Sequence, residues 1–337
     1  MSKEIKKTKE TNEIKRIGVF TSGGDAPGMN AAVRAVVRYA TYKGLHVYGI
    51  NRGYEGMIDG DIERLETKSV RNIIHRGGTI LKTARSKEFM TKEGRKQAYE
   101  SLKSYDIEGC IAIGGNGTFT GGKVFCQEFP DMKFIGVPGT IDNDIFGTDY
   151  TIGFDTAVNT AIEAVDRIRD TADAHSRLFF IEVMGRHSGA IALYTGIGSG
   201  ASGILLPEIS SDSESLIKLL KKGIKRKKLF SLVVVAEGDE TGGAMAIAEK
   251  VRKEFPHFET KVAIIGHLQR GGSPSAQDRI LATRLGYGAV EGLLKGKTNV
   301  MVGSINNRLE YASFDDAITK KKPLNQDLLE LAEILAL

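Results

Sequence analysis

Seven short apolar runs constrain this chain more than any other feature of its sequence: Ile17–Phe20, His46–Ile50, Cys110–Ile113, Phe134–Val137, Phe179–Val183, Leu232–Ala236 and Val262–Ile265. They are rich in β-branched residues and do not alternate with polar ones. A strand with one wet face alternates, whereas an unalternating run is covered on both faces, as in parallel sheets. Helical stretches lie between the runs. The clearest is Thr156–Asp170, where Val158, Ile162, Val165 and Ile168 recur at three to four residues and Asp155 stands at the N-cap position. Strand and helix alternate from end to end, which predicts an α/β fold with largely parallel sheets. A chain of 337 residues is too long for one ordinary core and suits two domains. No Pro/Ser-rich linker separates them, so they are expected to be joined by chain crossings, the first near Thr151–Gly153.

Several classes of function are excluded on the same grounds. No apolar run approaches the ~18 residues that span a bilayer, so no membrane role is expected. The first sixteen residues are charged and lack an apolar core, which argues against a secretory signal. Cys110 and Cys126 are the only cysteines, as suits a reduced, cytoplasmic protein. The net charge of +5 is mild for this length, so nucleic-acid binding would need a local patch. The densest basic run, Lys221–Lys228, reads as a solvated helix end, and no nucleic-acid partner is expected.

Glycine is over-represented, 40 of 337 residues, and clusters where apolar runs end. In open α/β sheets ligands bind beyond the carboxyl ends of the strands. Four runs end in such loops: Thr21–Asn30, Gly114–Thr118, Pro138–Asp144 and Met184–Gly189. Glycines there let main-chain N–H groups approach a phosphate, and a following helix N-terminus adds its dipole. A single such loop could be no more than a tight turn, but four at equivalent strand ends point to phosphate. Neither GxGxxG nor GxxxxGK[ST] occurs in them, which weighs against the standard dinucleotide and P-loop readings. The third loop carries two carboxylates, Asp142 and Asp144. One can accept a proton from a hydroxyl while the other helps hold a divalent metal; the plainer reading is two solvated turn aspartates. Arg85, Arg177, Arg186 and Arg270 lie in or beside glycine-, serine- or histidine-bearing segments, and guanidinium groups match phosphate oxygens. Carboxylates, arginines and glycine loops without an evident covalent nucleophile indicate phosphoryl transfer.

Five segments go further. TSGGDAPGMNAAVR, GGNGT, PGTIDNDIFGTDYTIGFDTA, MGRHSG and GHLQRGGSP, in this order, closely resemble the bacterial-type ATP-dependent 6-phosphofructokinase family over residues 16 to 320. The resemblance implies two similar three-layer α/β/α domains with the active site in the cleft, an ATP-binding domain of 1–152 plus 268–318 and a sugar-binding domain of 153–267 plus 319–337. It implies MgATP-dependent phosphorylation of the 1-hydroxyl of fructose 6-phosphate in glycolysis, in an allosteric cytoplasmic homotetramer. Asp142 is then the general base, with Thr140, Arg85 and Arg186 at the transferring group. Gly24, Arg85, Ser86, Gly115, Asn116, Gly117 and Thr118 would hold ATP, and Asn116 with Asp144 the Mg2+. The sugar would be bound by Thr140, Ile141, Asp142, Met184, Gly185, Arg186 and Glu237, and by His267, Leu268, Gln269 and Arg270, with His267 and Arg270 on its 6-phosphate. Arg177 and Lys261 are expected to reach a neighbouring subunit's site. Arg34, Arg38 and Arg169 match basic positions for an ADP or phosphoenolpyruvate effector.

The departures from the family pattern are few and local. Asn116 stands where an aspartate is usual, and Lys261 where an arginine is. Thr67 and Ser202 replace an effector-site arginine and glutamate, which weighs against activation by ADP. Pyrophosphate-dependent members of the fold typically have aspartate at the position of Gly117 and lysine at that of Gly139, so two glycines favour ATP. A non-catalytic regulatory homologue is the remaining alternative. Its only support is Asn116.

Overall fold

The computed structural model describes residues 14–174, 177–209, 216–218, 220–221, 231–238, 242–256 and 259–335. Apart from Lys221, the basic run 221–228 lies outside them, as does the charged N-terminal stretch through residue 13. All seven apolar runs are strands. They form β1 (Arg16–Thr21), β2 (His46–Ile50), β4 (Gly109–Gly114), β5 (Lys133–Pro138), β6 (Leu178–Val183), β8 (Ser231–Ala236) and β9 (Thr260–Ile264). Four more strands occur among the described residues: β3 (Ile62–Leu65), β7 (Gly203–Leu205), β10 (Val300–Ile305) and β11 (Arg308–Ser313).

These strands build two sheets. The larger runs β11-β10-β5-β4-β1-β2-β3 and the smaller β7-β8-β6-β9. Every pairing is parallel except β2 with β3 and β10 with β11, at the two edges of the larger sheet. Burial on both faces is visible residue by residue. Ile17 and Val19 of β1 enter one core with α1 (Met29–Tyr42) and α8 (Ala276–Leu294), whereas Phe20 enters another with residues of α2 (Gly53–Asp59), α3 (Lys92–Ser104) and α4 (Asn116–Glu128). In β6, Phe179 and Ile181 face the first core, which also holds residues of α5 (Phe154–Ala174) and α6 (Ala190–Gly198). Leu178 and Phe180 enter a third, with residues of α7 (Gly243–Glu254). Each sheet is thus the middle of three layers, and one core runs continuously between them. Cys110 and Cys126 are buried free thiols, and burial pushes the Cys126 thiol up to about 12, which keeps it unreactive.

The long helix departs from expectation at its start. α5 begins at Phe154, so Asp155 lies inside the first turn rather than at the N-cap. Its leading N–H groups are satisfied from elsewhere in the chain. Asp278, in the first turn of α8, accepts hydrogen bonds from Gly153 N (2.8 Å), Thr156 N (2.8 Å) and Thr156 Oγ1 (2.5 Å). A carboxylate from the other helix does the capping.

In each sheet the strand order reverses at an interior strand. β1 has β2 on one side and β4 on the other, and β6 has β8 and β9. Chains leaving the carboxyl ends of strands flanking such a point diverge and leave a crevice. The glycine loops after β1, β4 and β6 leave from such ends, and the one after β5 leaves from the next strand along.

Candidate active site

A cavity of about 730 Å³ lies where the loops of the two sheets meet. The loops after β1, β4 and β5 line it, and Arg186 and Arg270 reach it from the loops after β6 and β9. Backbone hydrogen bonds fix the three larger-sheet loops to one another: Ser22 N donates to Ile113 O (3.0 Å), Gly139 N to Gly114 O (3.0 Å) and Ile152 N to Pro138 O (2.9 Å).

One wall is the N-terminus of α4. Its N-cap is Gly115, which has no side chain to satisfy the first turn. Thr118 N and Phe119 N donate to Gly115 O, but Asn116 N and Gly117 N have no acceptor among the described residues. Free N–H groups at the positive end of a thirteen-residue helix make an anion site. A Cβ on Gly117 would meet nothing within 4 Å, so the space before it is open. Gly23 and Gly24 face this wall. A Cβ on Gly24 would lie 2.6 Å from Arg270 Nη1, so a side chain there would displace the guanidinium, which also donates to Asp25 O (3.0 Å). Arg85 and Ser86 line the same cavity. Arg85 is exposed and has no ion-pair or hydrogen-bond partner among the described residues, a free guanidinium beside a free helix end.

Opposite stands the acidic turn. Asp142 and Asp144 both line the cavity. Burial, first, and the neighbouring Asp144 raise the Asp142 carboxyl above the usual range, while Arg270 and Arg186 pull it back. Arg186 Nε stands 4.0 Å from Asp142 Oδ2. Burial likewise raises Asp144. The turn is held from within: Asp142 N donates to Thr140 Oγ1 (3.2 Å) and Thr151 Oγ1 to Thr140 O (2.6 Å). Asn116 does not stand apart as a ligand. Its Nδ2 donates to Asp144 Oδ2 at 3.2 Å, which leaves Asn116 Oδ1 buried without a partner, as is Asp142 Oδ1. Two orphaned hard oxygens, one from an amide and one from a carboxylate, beside the second carboxylate, Asp144, and facing the anion site, fit a small divalent cation that takes its remaining ligands from water and phosphate.

The second sheet supplies the facing loops. Gly185 N (3.3 Å) and Arg186 N (2.9 Å) both donate to Glu237 Oε1, so one oxygen of Glu237 anchors this loop and the other is left. Arg186 is held at a positive φ of 54°, which turns its side chain into the cavity.

Other expected ligands are placed differently. The Ile141 side chain is fully buried in the core, so only its main chain can meet a ligand. The Gln269 side chain is fully buried too, accepting from Met184 N (2.8 Å) and donating to Ala157 O (3.4 Å), which makes it a strut rather than a contact. Met184 itself is buried, whereas His267 and Leu268 are exposed and lie off the cavity. Arg177 and Lys261 also lie off it, gathered on one carboxylate: Glu259 Oε2 is 2.6 Å from Arg177 Nε and Oε1 2.7 Å from Lys261 Nζ. These two bonds hold Glu259 at about 2. Among the effector candidates, Arg34 and Arg38 share α1, and burial, then Arg38, lowers Arg34. Arg169 donates to Ser199 O. Sequence reading missed Glu259, Asn143 and Lys322. A position inside the PGTIDND segment was the only available signal, and it applied to Asn143 alone.

Fold and site together define an α/β protein with a cleft suited to phosphate between two largely parallel sheets. The chain belongs to the phosphofructokinase family, whose model, Phosphofructokinase, matches residues 16–293. Relatives named ATP-dependent 6-phosphofructokinase include one from Cytophaga hutchinsonii, 53% identical over 96% of this chain and 98% of its own length. Another, ATP-dependent 6-phosphofructokinase 1 of Thermus thermophilus, is 55% identical over 96% of this chain and 100% of its own. Among solved structures, phosphofructokinase from Saccharomyces cerevisiae aligns with a TM-score of 0.86 at 35% identity over 96% of this chain. This chain spans about half of the yeast chain, 47% of its length. A pyrophosphate-dependent phosphofructokinase from Marinobacter aquaeolei aligns with a TM-score of 0.82 at 25% identity, over 96% of this chain and 92% of its own.

Proposed function

We propose that this chain transfers the γ-phosphoryl group of ATP to the 1-hydroxyl of D-fructose 6-phosphate, giving fructose 1,6-bisphosphate and ADP. The observation that carries the reading is the pairing, across one cavity, of an uncapped helix N-terminus with a buried carboxylate whose pKa is raised. Nucleotide phosphates fit the first and a hydroxyl the second. Asp142 takes the proton of the 1-hydroxyl as its oxygen bonds to phosphorus and the bond to the β-phosphate oxygen breaks. Its raised pKa makes it a better base for that step. Arg85 and Arg186 flank the path of the transferring group, where spread-out negative charge is best stabilised by fixed cations. Thr140 orients the reacting end and Glu237 accepts from a sugar hydroxyl. Mg2+ held at Asn116 and Asp144 would neutralise the phosphate oxygens and leave Asp142 free as the base.

The open space before Gly117 favours ATP over pyrophosphate, because an aspartate there would fill room that the rest of the nucleotide needs. Residues 1–152 with 268–318 would form the ATP-binding domain and 153–267 with 319–337 the sugar-binding one. Arg177 and Lys261, poised on Glu259 away from the cavity, would serve a neighbouring subunit in a homotetramer, and Arg34, Arg38 and Arg169 an anionic effector. No helix among the described residues is long and apolar enough to cross a membrane, and a cytoplasmic setting suits the two buried thiols. A coupled assay with fructose 6-phosphate tests the reading: ATP should support turnover, pyrophosphate should not, and Asp142→Ser should lower kcat at least ~100-fold. Turnover with pyrophosphate alone would overturn it.

A further inference from the structure

Behind the acidic turn lies a cation that the proposed mechanism does not use. Lys322 belongs to the short segment between α9 (Phe314–Thr319) and α10 (Gln326–Leu335). The chain is tied down just before the lysine. Lys321 bridges Ile145 in antiparallel fashion, and Phe314, at the start of α9, stacks on Phe119 of α4 with ring centroids 5.3 Å apart. The half-buried Lys322 ammonium donates to Asn143 Oδ1 (2.8 Å) and Asp149 O (2.6 Å). Both acceptors are neutral, and among the described residues Lys322 makes no ion pair, so its charge is not cancelled by contact. Burial lowers it to about 8, while the carboxylates of Asp149 and Asp144 act the other way.

Asn143 is the residue between the two catalytic-turn carboxylates. It is buried and held at a φ of 50°, a left-handed conformation that asparagine tolerates but does not prefer. Its side-chain oxygen also accepts from Thr151 N (3.0 Å), and its Nδ2 donates to Asp149 O (3.4 Å). A reversal at the middle residue decides where the residues on either side point. We propose that Lys322 is a positioning residue for phosphoryl transfer: by clamping Asn143 in its left-handed state against the Asp149 carbonyl, it sets the placement of Asp142 and Asp144. The inference rests on the phosphotransferase reading above. Because α9 packs on α4, the same segment ties the acidic turn to the helix whose N-terminus faces it across the cavity.

The test compares Lys322→Met, Lys322→Arg, Asn143→Ala and the Lys322→Met/Asn143→Ala double variant with wild type, each by steady-state kinetics and thermal unfolding. Misplacement of a reacting group by about 1 Å costs on the order of 100-fold in rate. Lys322→Met is therefore expected to lower kcat about 10- to 100-fold, with the KM values for ATP and fructose 6-phosphate within about three-fold and little change in Tm. Lys322→Arg, which keeps charged donors, should recover most of the loss. The double variant should be no slower than the worse single one, because both changes release the same clamp. Should Lys322→Met fail to fold, Lys322→Gln, with one neutral donor, takes its place and should show an intermediate kcat loss. A Met or Gln variant within two-fold of wild-type kcat would overturn the inference, as would losses that multiply in the double variant. Inactivity of the wild type would instead overturn the reading beneath it.

Discussion

Asn116→Asp is the change whose outcome the site geometry determines most directly. In the structure the Asn116 amide donates to Asp144 Oδ2 across 3.2 Å. The substitution removes that donor and puts a second carboxylate in its place. Two like charges about 4 Å apart repel by ~4 kcal/mol at an effective dielectric of ~20 and by ~1 kcal/mol in water. The pair lines an open cavity, so a value of about 2 kcal/mol is appropriate, with about 1 kcal/mol more for the lost hydrogen bond. Unfolding of the ligand-free variant at pH 8 should therefore be easier by about 3 kcal/mol, which for a chain of 337 residues is a fall in Tm of roughly 4 °C. The repulsion raises the carboxyl pKa values of the folded pair. The folded state then binds more protons than the unfolded one between pH ~4 and the raised values, so stability falls as pH rises through that window. The assay is thermal unfolding across pH 5–8, with and without millimolar MgCl2 and no nucleotide. The variant should regain stability towards pH 5 and gain more from Mg2+ than wild type does. Parallel pH curves with equal Mg2+ responses would show that residue 116 touches neither Asp144 nor the metal.

Gly117→Asp should raise the KM for ATP by at least tenfold while leaving that for fructose 6-phosphate nearly unchanged, since its Cβ enters open space on the nucleotide side; titrations of each substrate check it. Arg177→Ala should weaken fructose 6-phosphate binding more than it slows chemistry, and mixing it with Asp142→Ser subunits should restore part of the activity; no recovery on mixing would remove the shared-site reading. Asp278, its carboxyl raised to about 6 chiefly by burial, makes wild-type stability fall as pH rises from about 4 to about 6. Asp278→Asn should remove that slope in chemical denaturation; its cost, about 2–3 kcal/mol above pH 6 because an amide nitrogen would face N–H donors, should grow as pH falls towards 4.

What the sequence disclosed about the fold follows from burial. Runs such as Ile111–Ile113 are covered on both faces, and nothing else in a soluble chain imposes an unalternating apolar run of that length. β3 and β11, paired on one side only, carry exposed or half-exposed residues and left no such mark. The glycine loops were legible because each is contiguous in sequence and each glycine answers a local need. Residues acting from a distance were not. Lys322 meets Asn143 across 179 positions and Asp278 meets Thr156 across 122, and a lone lysine or aspartate carries no local pattern to announce such a contact. Asp155 was misjudged for the same reason, the true cap being supplied by another helix.

The connectivity of the larger sheet also dictates an order of events at the ribosome. β5 acquires its outer neighbour only when β10 arrives, pairing Val300 with Ile135, and Gly286 of α8 packs against Ala32, Ala35 and Val36 of α1. The smaller sheet needs only residues 178–264, all of them synthesised earlier. During translation the segment made second can finish first, while the one made first waits with an unpaired strand edge and an uncovered apolar helix face. Such surfaces are the ones that associate wrongly between nascent chains. Chains arrested before about residue 290 should therefore aggregate or be held by chaperones, and should not yield a free-standing larger-sheet unit.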